Sequence, residues 1–181
     1  QGTIEPLIVR PLSESEYEVI SGHRRLEICK ELGIEKLPAI VRNLTDEQAI
    51  SMMVDANMHR ENILPSERAF AYKMKWEAIR KQGQRTDLTL SQPATKYRSD
   101  ERIANEFGIG KDTLHRYIRL TYLIPELLEM VDKGRIALTP AVELSYLTHE
   151  EQHLLLNEIE YADATPSLSQ AQRLRGFTRQ G

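Results

Sequence analysis

A chain of 181 residues, 40% of them hydrophobic and 28% charged, has room for one large domain or two small ones and reads as a globular protein, not a disordered or membrane one. No apolar run approaches the roughly 20 residues that a membrane span needs. A single cysteine, Cys29, excludes an internal disulfide and fits a reducing compartment, while a net charge of −3 does not by itself advertise a nucleic-acid binder.

In chain order, Leu7-Ile8-Val9 and Tyr17-Glu18-Val19-Ile20 are short β-branched runs separated by Ser13-Glu14-Ser15, which predicts a hairpin. A helix follows from His23 to Leu32 and stops at Gly33. Cys29 falls on its apolar face and reads as a packing residue. Leu37-Pro38-Ala39-Ile40-Val41 is a third strand, and Thr45-Asp46-Glu47-Gln48 is a capping box opening a helix through Met58. The chain opens on Gln1 rather than Met, shows no signal peptide, and reads as a fragment.

After Pro65 the pattern becomes all-helical. Ser66 is expected to cap a long helix in which Ala69, Tyr72, Trp76 and Ile79 recur at helical spacing, so Trp76 reads as core. Residues 82–98, with Gly83, Thr86, Ser91, Pro93 and Thr95, read as a long loop. Across 80–98, Arg80, Lys81, Arg85, Lys96 and Arg98 face one acidic residue, Asp87. Such a local positive patch suits phosphate contacts, and it equally suits a solvated loop.

The next segment is the most telling. Ile103, Ala104 and Phe107 form one apolar stripe, Gly108 ends that helix, and Ile109 plugs the turn. A second helix begins near Lys111 with Leu114, Tyr117 and Ile118 inward, leaving Lys111, Thr113, His115, Arg116 and Arg119 outside. That is a helix-turn-helix pattern, in which the polar, basic face of the second helix enters a major groove of duplex DNA. An ordinary helical hairpin with a solvated face shares the pattern. Helices near 125–133, 139–147 and 149–161 follow, and a last one opens with the box Ser167-Leu168-Ser169-Gln170. The predicted fold class is α+β: a small α/β domain over 1–64, then an all-α domain over 65–181.

Three constellations could carry chemistry. Ser21-Gly22-His23-Arg24-Arg25 stands where a strand turns into a helix. Glycine admits an anion close to the backbone, free amides at a helix start attract phosphate, and two arginines add charged donors. An exposed helix start with solvated arginines has the same sequence. Asp55-Ala56-Asn57-Met58-His59-Arg60-Glu61-Asn62 offers hard oxygen ligands for Mg²⁺ and an arginine for phosphate, or simply a helix-end ion-pair network. His149-Glu150-Glu151-Gln152-His153 matches the H-E-x-x-H zinc-protease pattern. Thr148 and Glu151 form a capping box there, which puts His149 at an exposed first turn, and no third ligand follows at a plausible spacing.

Several boxes in order resemble the ParB-type partition proteins. They are Gly2-Thr3-Ile4-Glu5-Pro6-Leu7-Ile8-Val9-Arg10, then Ser21-Gly22-His23-Arg24-Arg25-Leu26, then Leu37-Pro38-Ala39-Ile40-Val41-Arg42. Ala56-Asn57-Met58-His59-Arg60-Glu61-Asn62-Ile63-Leu64-Pro65 follows, then the helix-turn-helix, and Gly134-Arg135-Ile136-Ala137-Leu138. The likeness covers nearly the whole chain. It implies a ParB/sulfiredoxin-like domain that binds CTP with Mg²⁺, a helix-turn-helix that reads a centromere-like palindromic site, and a homodimer that closes into a sliding clamp. It further implies a ParA-type ATPase partner, met through a segment not found in this sequence, and a cytoplasmic protein on the nucleoid or a plasmid, away from any membrane.

Carried over by position, Gly22, His23, Arg24 and Arg25 would hold the triphosphate, Asn57 would approach the metal, and Arg60 would contact phosphate. Lys111, Thr113, His115, Arg116 and Arg119 would face DNA, with Thr139 lending a phosphate contact. Two departures matter: His23 stands where the family box has glutamate, and Ala56 stands where glutamate precedes the metal-site asparagine. Asp55 is adjacent, but on a helix it points about 100° away, so CTP hydrolysis is expected to be weak or absent. The competing readings are a transcriptional regulator with a degenerate nucleotide site, and a phosphotransferase or hydrolase on the sulfiredoxin-like fold. Cys29 lies too far along the chain for a sulfiredoxin-type reactive cysteine.

Overall fold

The computed structural model describes residues 5–58, 62–86 and 94–178, with the side chains of 82–86 and 94–99 left aside. The chain divides into two compact units, one drawn from Gln1–Arg60 and Glu77–Ser91, the other from Glu61–Trp76 and Gln92–Gly181. The expected phosphate contact Arg60 and the patch residues Arg85, Lys96 and Arg98 lie outside the described side chains.

In the first unit, β1 (Leu7–Pro11) pairs antiparallel with β2 (Tyr17–Ser21) and parallel with β3 (Ala39–Val41), so the strand order is β2-β1-β3. Leu7 and Val9 alternate inward, as a strand with one buried face requires. Arg10 stands opposite Glu18 across the hairpin and pairs with it, and its other arm reaches Asp46 at 2.7 Å. That fork ties the hairpin to the start of α2 (Asp46–Met58), which Thr45 and Gln48 cap reciprocally. Between β2 and β3 runs α1 (His23–Glu31). It ends where Gly33 adopts φ 67° and the Ile34 amide donates to the Cys29 carbonyl at 2.8 Å. Cys29 is buried, as its spacing predicts, and so are the apolar positions Leu7, Val9, Ile20, Ala49 and Val54 of this unit.

The helix α3 (Pro65–Thr86) begins with Pro65, and the Glu67 carboxylate accepts from the Leu64 amide at 2.9 Å. The expected cap, Ser66, instead donates through its amide and hydroxyl to Asp132 at 2.9 and 2.6 Å. Proline at the first helical position moves the boundary two residues earlier than a Ser66 cap would set it. The expected loop over 82–98 is also shorter: α3 continues to Thr86, and α4 (Ala94–Glu106) already begins at Ala94. Lys81, Gln82, Gln84 and Arg85 are good helix formers, and together they offset the roughly 1 kcal/mol that Gly83 costs.

The remaining helices are α5 (Lys111–Leu120), α6 (Pro125–Asp132), α7 (Leu138–Leu144), α8 (His149–Ala162) and α9 (Leu168–Thr178). Their apolar faces meet in one core around Leu120, Leu127, Leu144, Ile159 and Ala171, joined by Ala69 of α3. Thr148 and Glu151 cap α8 reciprocally, and the exposed His149 and His153 join no group of metal-ligating side chains among the described residues. Among the described residues no helix is long and apolar enough to cross a membrane.

Candidate functional site

Two sites take shape, one in each unit. In the first, β2 hands over to α1 through Gly22, which caps the helix at φ 102° without any side-chain cap. A Cβ at Gly22 would stand 2.6 Å from Leu7 Cδ2, so the backbone here lies tight against β1. No acidic residue occupies the first turn of α1, leaving its amides and the positive end of the helix dipole available to an anion. Gly22, His23, Arg24 and Arg25 line one cavity of about 510 Å³ together with Ala56 and Asn57 of α2.

The two arginines differ. Arg25 donates to the Glu5 and Pro6 carbonyls at 2.8 and 3.1 Å and pairs with the Glu5 carboxylate at 2.8 Å, so it orders the lead-in to β1. Arg24 is exposed and has no hydrogen-bond or ion-pair partner among the described residues. This cavity therefore fits a phosphate chain: backbone amides, a glycine that lets the ligand approach, and an exposed cation. For a metal its described side chains offer two neutral oxygen donors, the Asn57 amide and the Ser21 hydroxyl, which suits Mg²⁺ that keeps its waters and its phosphate ligands. Ala56 brings no carboxylate.

The second site is built on α4 and α5. Gly108 at φ 65° closes α4, with the Ile109 amide donating to the Ala104 carbonyl at 2.9 Å. Ile103, Ala104, Leu114 and Ile118 bury the inner faces. The Tyr72 ring, on α3, meets Phe107 at 4.6 Å and Tyr117 edge-on at 5.5 Å. Lys75 pairs with Glu106 at 2.8 Å. Burial alone would raise the Glu106 carboxyl, but hydrogen bonds from Lys75 and Arg102 hold it below the ordinary carboxylate value.

The expected DNA-facing residues fall into two sets. Thr113 and Arg116 lie on α5 away from its buried Leu114 and Ile118, and the Arg116 guanidinium donates to the hydroxyl of Thr139 in the first turn of α7, whereas Lys111 opens the helix on the side of those two buried residues. His115 and Arg119 turn toward the protein. His115 Nε2 is 2.9 Å from Asp100 Oδ2, and Arg119 bonds the hydroxyl and carbonyl oxygens of Ser145 at 3.1 and 2.6 Å. Asp100, 5% exposed, also accepts from the Trp76 indole at 2.7 Å. Spacing alone does not single out Asp100 as functional, yet a signal exists: it begins the same i, i+3, i+4, i+7 stripe as Ile103, Ala104 and Phe107. A carboxylate on an apolar stripe needs partners.

Residues 1–58 match the ParB N-terminal domain family. The chain is 31% identical over 175 residues to the chromosome-partitioning protein Spo0J of Thermus thermophilus, covering 97% of this chain and 57% of that protein. It is 33% identical over 136 residues to the nucleoid occlusion protein of Lysinibacillus sphaericus, covering 75% and 40% respectively. The chain thus spans about half the length of these relatives. Its fold is similar to that of the C-terminally truncated ParB of Caulobacter crescentus complexed to the centromeric parS site, with a TM-score of 0.51 and 20% identity over 99% of this chain and 84% of that one. By these similarities the chain belongs to the ParB-like family.

Proposed function

We propose that the protein is a sequence-specific DNA-binding partition protein of ParB type, which reads a centromere-like palindromic site through α5 and takes CTP with Mg²⁺ at the α1 cavity. The observation that carries this reading is a helix-turn-helix whose second helix presents Thr113 and Arg116, the latter bonded to Thr139, in the same chain as a cavity of about 510 Å³ lined by Gly22, His23 and Arg24. Gly22, His23 and Arg24 bind the triphosphate, Arg25 holds the strand beside it, Arg60 adds a phosphate contact, and Asn57 meets the metal. Cytidine as the base rests on family membership. Ala56 brings no carboxylate to orient water, and none lines the cavity among the described residues, so turnover is expected to be weak or absent.

A palindromic site calls for a two-fold protein, hence a homodimer. Closure into a clamp, service to a chromosome, plasmid or mobile element, nucleoid association and a ParA-type ATPase partner all belong to the same proposal. Calorimetric titration with CTP and with ATP, each with and without Mg²⁺, tests it. Saturable, Mg²⁺-strengthened CTP binding is expected. Preference for ATP favours the phosphotransferase reading, and DNA binding indifferent to either nucleotide favours a plain regulator. Arg116→Ala is expected to weaken a specific duplex by about 1–3 kcal/mol, measured by fluorescence anisotropy. Unchanged affinity removes Arg116 from the reading surface.

A further inference from the structure

We propose that Arg119 is a positioning residue that locks the DNA-reading helix in register, and not a DNA contact; in its DNA arm this rests on the function proposed above. The guanidinium meets two rings, its carbon 4.4 Å from the Tyr122 centroid and 4.0 Å from the Tyr146 centroid. Both contacts are within the range of a cation–π attraction, to which a planar guanidinium is well suited. Its edge is also engaged. Nε donates to Ser145 Oγ at 3.1 Å and Nη2 to the Ser145 carbonyl at 2.6 Å.

Ser145 is the C-cap of α7, 1% exposed, and its own hydroxyl donates to the Val142 carbonyl at 2.7 Å. A helix end presents carbonyls without intrahelical donors and the negative end of the helix dipole. Arg119 supplies both a donor and a positive charge to it from the neighbouring helix. One turn earlier on α5, Arg116 bonds Thr139 at the start of α7. The two arginines thus stitch α5 to α7 near both ends of α7, and α7 is the rigid rail along which α5 is set.

The stack continues beyond Arg119. The Arg175 guanidinium of α9 lies 3.6 Å from the Tyr146 centroid and bonds the Glu143 carboxylate at 2.8 Å. Tyr146 is therefore pinned between two cations, and one of them is itself fixed by an ion pair. A phosphate would have to draw Arg119 away from two rings and a helix C-terminus before it gained anything. Tyr122 and Tyr146 remain 47% and 40% exposed, so replacing either ring perturbs the stack without opening the core.

Two measurements on the full chain decide the matter, using Arg119→Lys, Arg119→Ala, Tyr146→Leu and Tyr146→Phe. Lysine keeps the charge and loses the planar fork; phenylalanine keeps the ring. The first measurement is amide hydrogen exchange of the free protein over 111–120 and 144–147. Arg119→Lys and Tyr146→Leu are expected to speed it by about tenfold while Tyr146→Phe leaves it unchanged. Unchanged exchange in Arg119→Lys overturns the proposal.

The second measurement is binding to a duplex enriched from a randomised pool by the wild-type protein, across a salt series. Arg119→Lys and Tyr146→Leu are expected to lose about tenfold in affinity for that duplex, with the salt slope on random duplex unchanged. Near wild-type binding by Arg119→Lys, with Tyr146→Leu neutral and a shallower salt slope in Arg119→Ala, identifies a direct phosphate contact and overturns the proposal. If the wild-type protein enriches no duplex, the DNA-reading function fails, and the exchange measurement still decides whether Arg119 locks α5.

Discussion

Gly22→Ala is expected to abolish nucleotide binding in calorimetric titration and to lower the stability of the protein by about 1–3 kcal/mol. The reasons are independent. At φ 102° an L-residue is strained whatever surrounds it. The new methyl also lands 2.6 Å from Leu7 Cδ2 and 3.4 Å from an Arg25 nitrogen. Leu7 is buried, 5% exposed, on the central strand, so its side chain cannot yield without disturbing the sheet. The start of α1 must move outward, and the amides that would meet a phosphate move with it. Gly33→Ala supplies the control: it is strained at φ 67° but has open space, with nothing within 4 Å. It is expected to cost stability and leave nucleotide binding intact. A Gly22→Ala protein that binds CTP as the wild type does sinks the α1 cavity as the nucleotide site.

What was legible in the sequence follows the range of the interactions involved. The boxes Thr45/Gln48, Thr148/Glu151 and Ser167/Gln170 all form, because a cap and its partner sit three residues apart and need no tertiary help. Gly33 and Gly108 end helices with positive φ for the same local reason. Residues 82–86 and 94–98 were harder, because summed propensities there lie near balance and a lone glycine does not decide them. Contiguous Gly22–Arg25 was visible as a phosphate-type turn, and Asn57 joins the same cavity from a different helix. The destinations of the long side chains were not visible. Arg25 reaches back 20 residues to Glu5, Arg116 forward 23 to Thr139, and Arg119 forward 26 to Ser145. Helical periodicity fixes where a Cβ points, and the end of an arginine is settled by whichever acceptor the tertiary fold brings near.

Gln152→Leu is expected to be the most destabilising single change in the helical unit. Gln152 sits inside the segment that matches H-E-x-x-H, yet the two histidines are exposed and the residue that matters is this fully buried amide. Its oxygen accepts from the Ile124 amide at 2.8 Å, and its nitrogen donates to the Tyr122 and Leu147 carbonyls at 3.1 and 3.0 Å. One side chain on α8 therefore satisfies the turn after α5 and the turn after α7 together. Leucine has a similar volume and leaves three backbone groups without this partner, the Ile124 amide and Leu147 carbonyl in buried bonds and the Tyr122 carbonyl in a part-buried one. At about 1–3 kcal/mol for each buried group left unpaired, partly relieved by relaxation, the loss is on the order of 3–5 kcal/mol. For a chain of this size that lowers the thermal midpoint by roughly 10–15 °C. His149→Ala and His153→Ala, at exposed positions of the same helix, are expected to change it by no more than about 0.5 kcal/mol. Because the released turn carries Tyr122, Gln152→Leu is also expected to loosen the ring above Arg119, so exchange over 111–120 should rise even below the unfolding transition. A midpoint within a few degrees of wild type would mean that the orphaned groups find water, and that this core is wetter than its packing indicates.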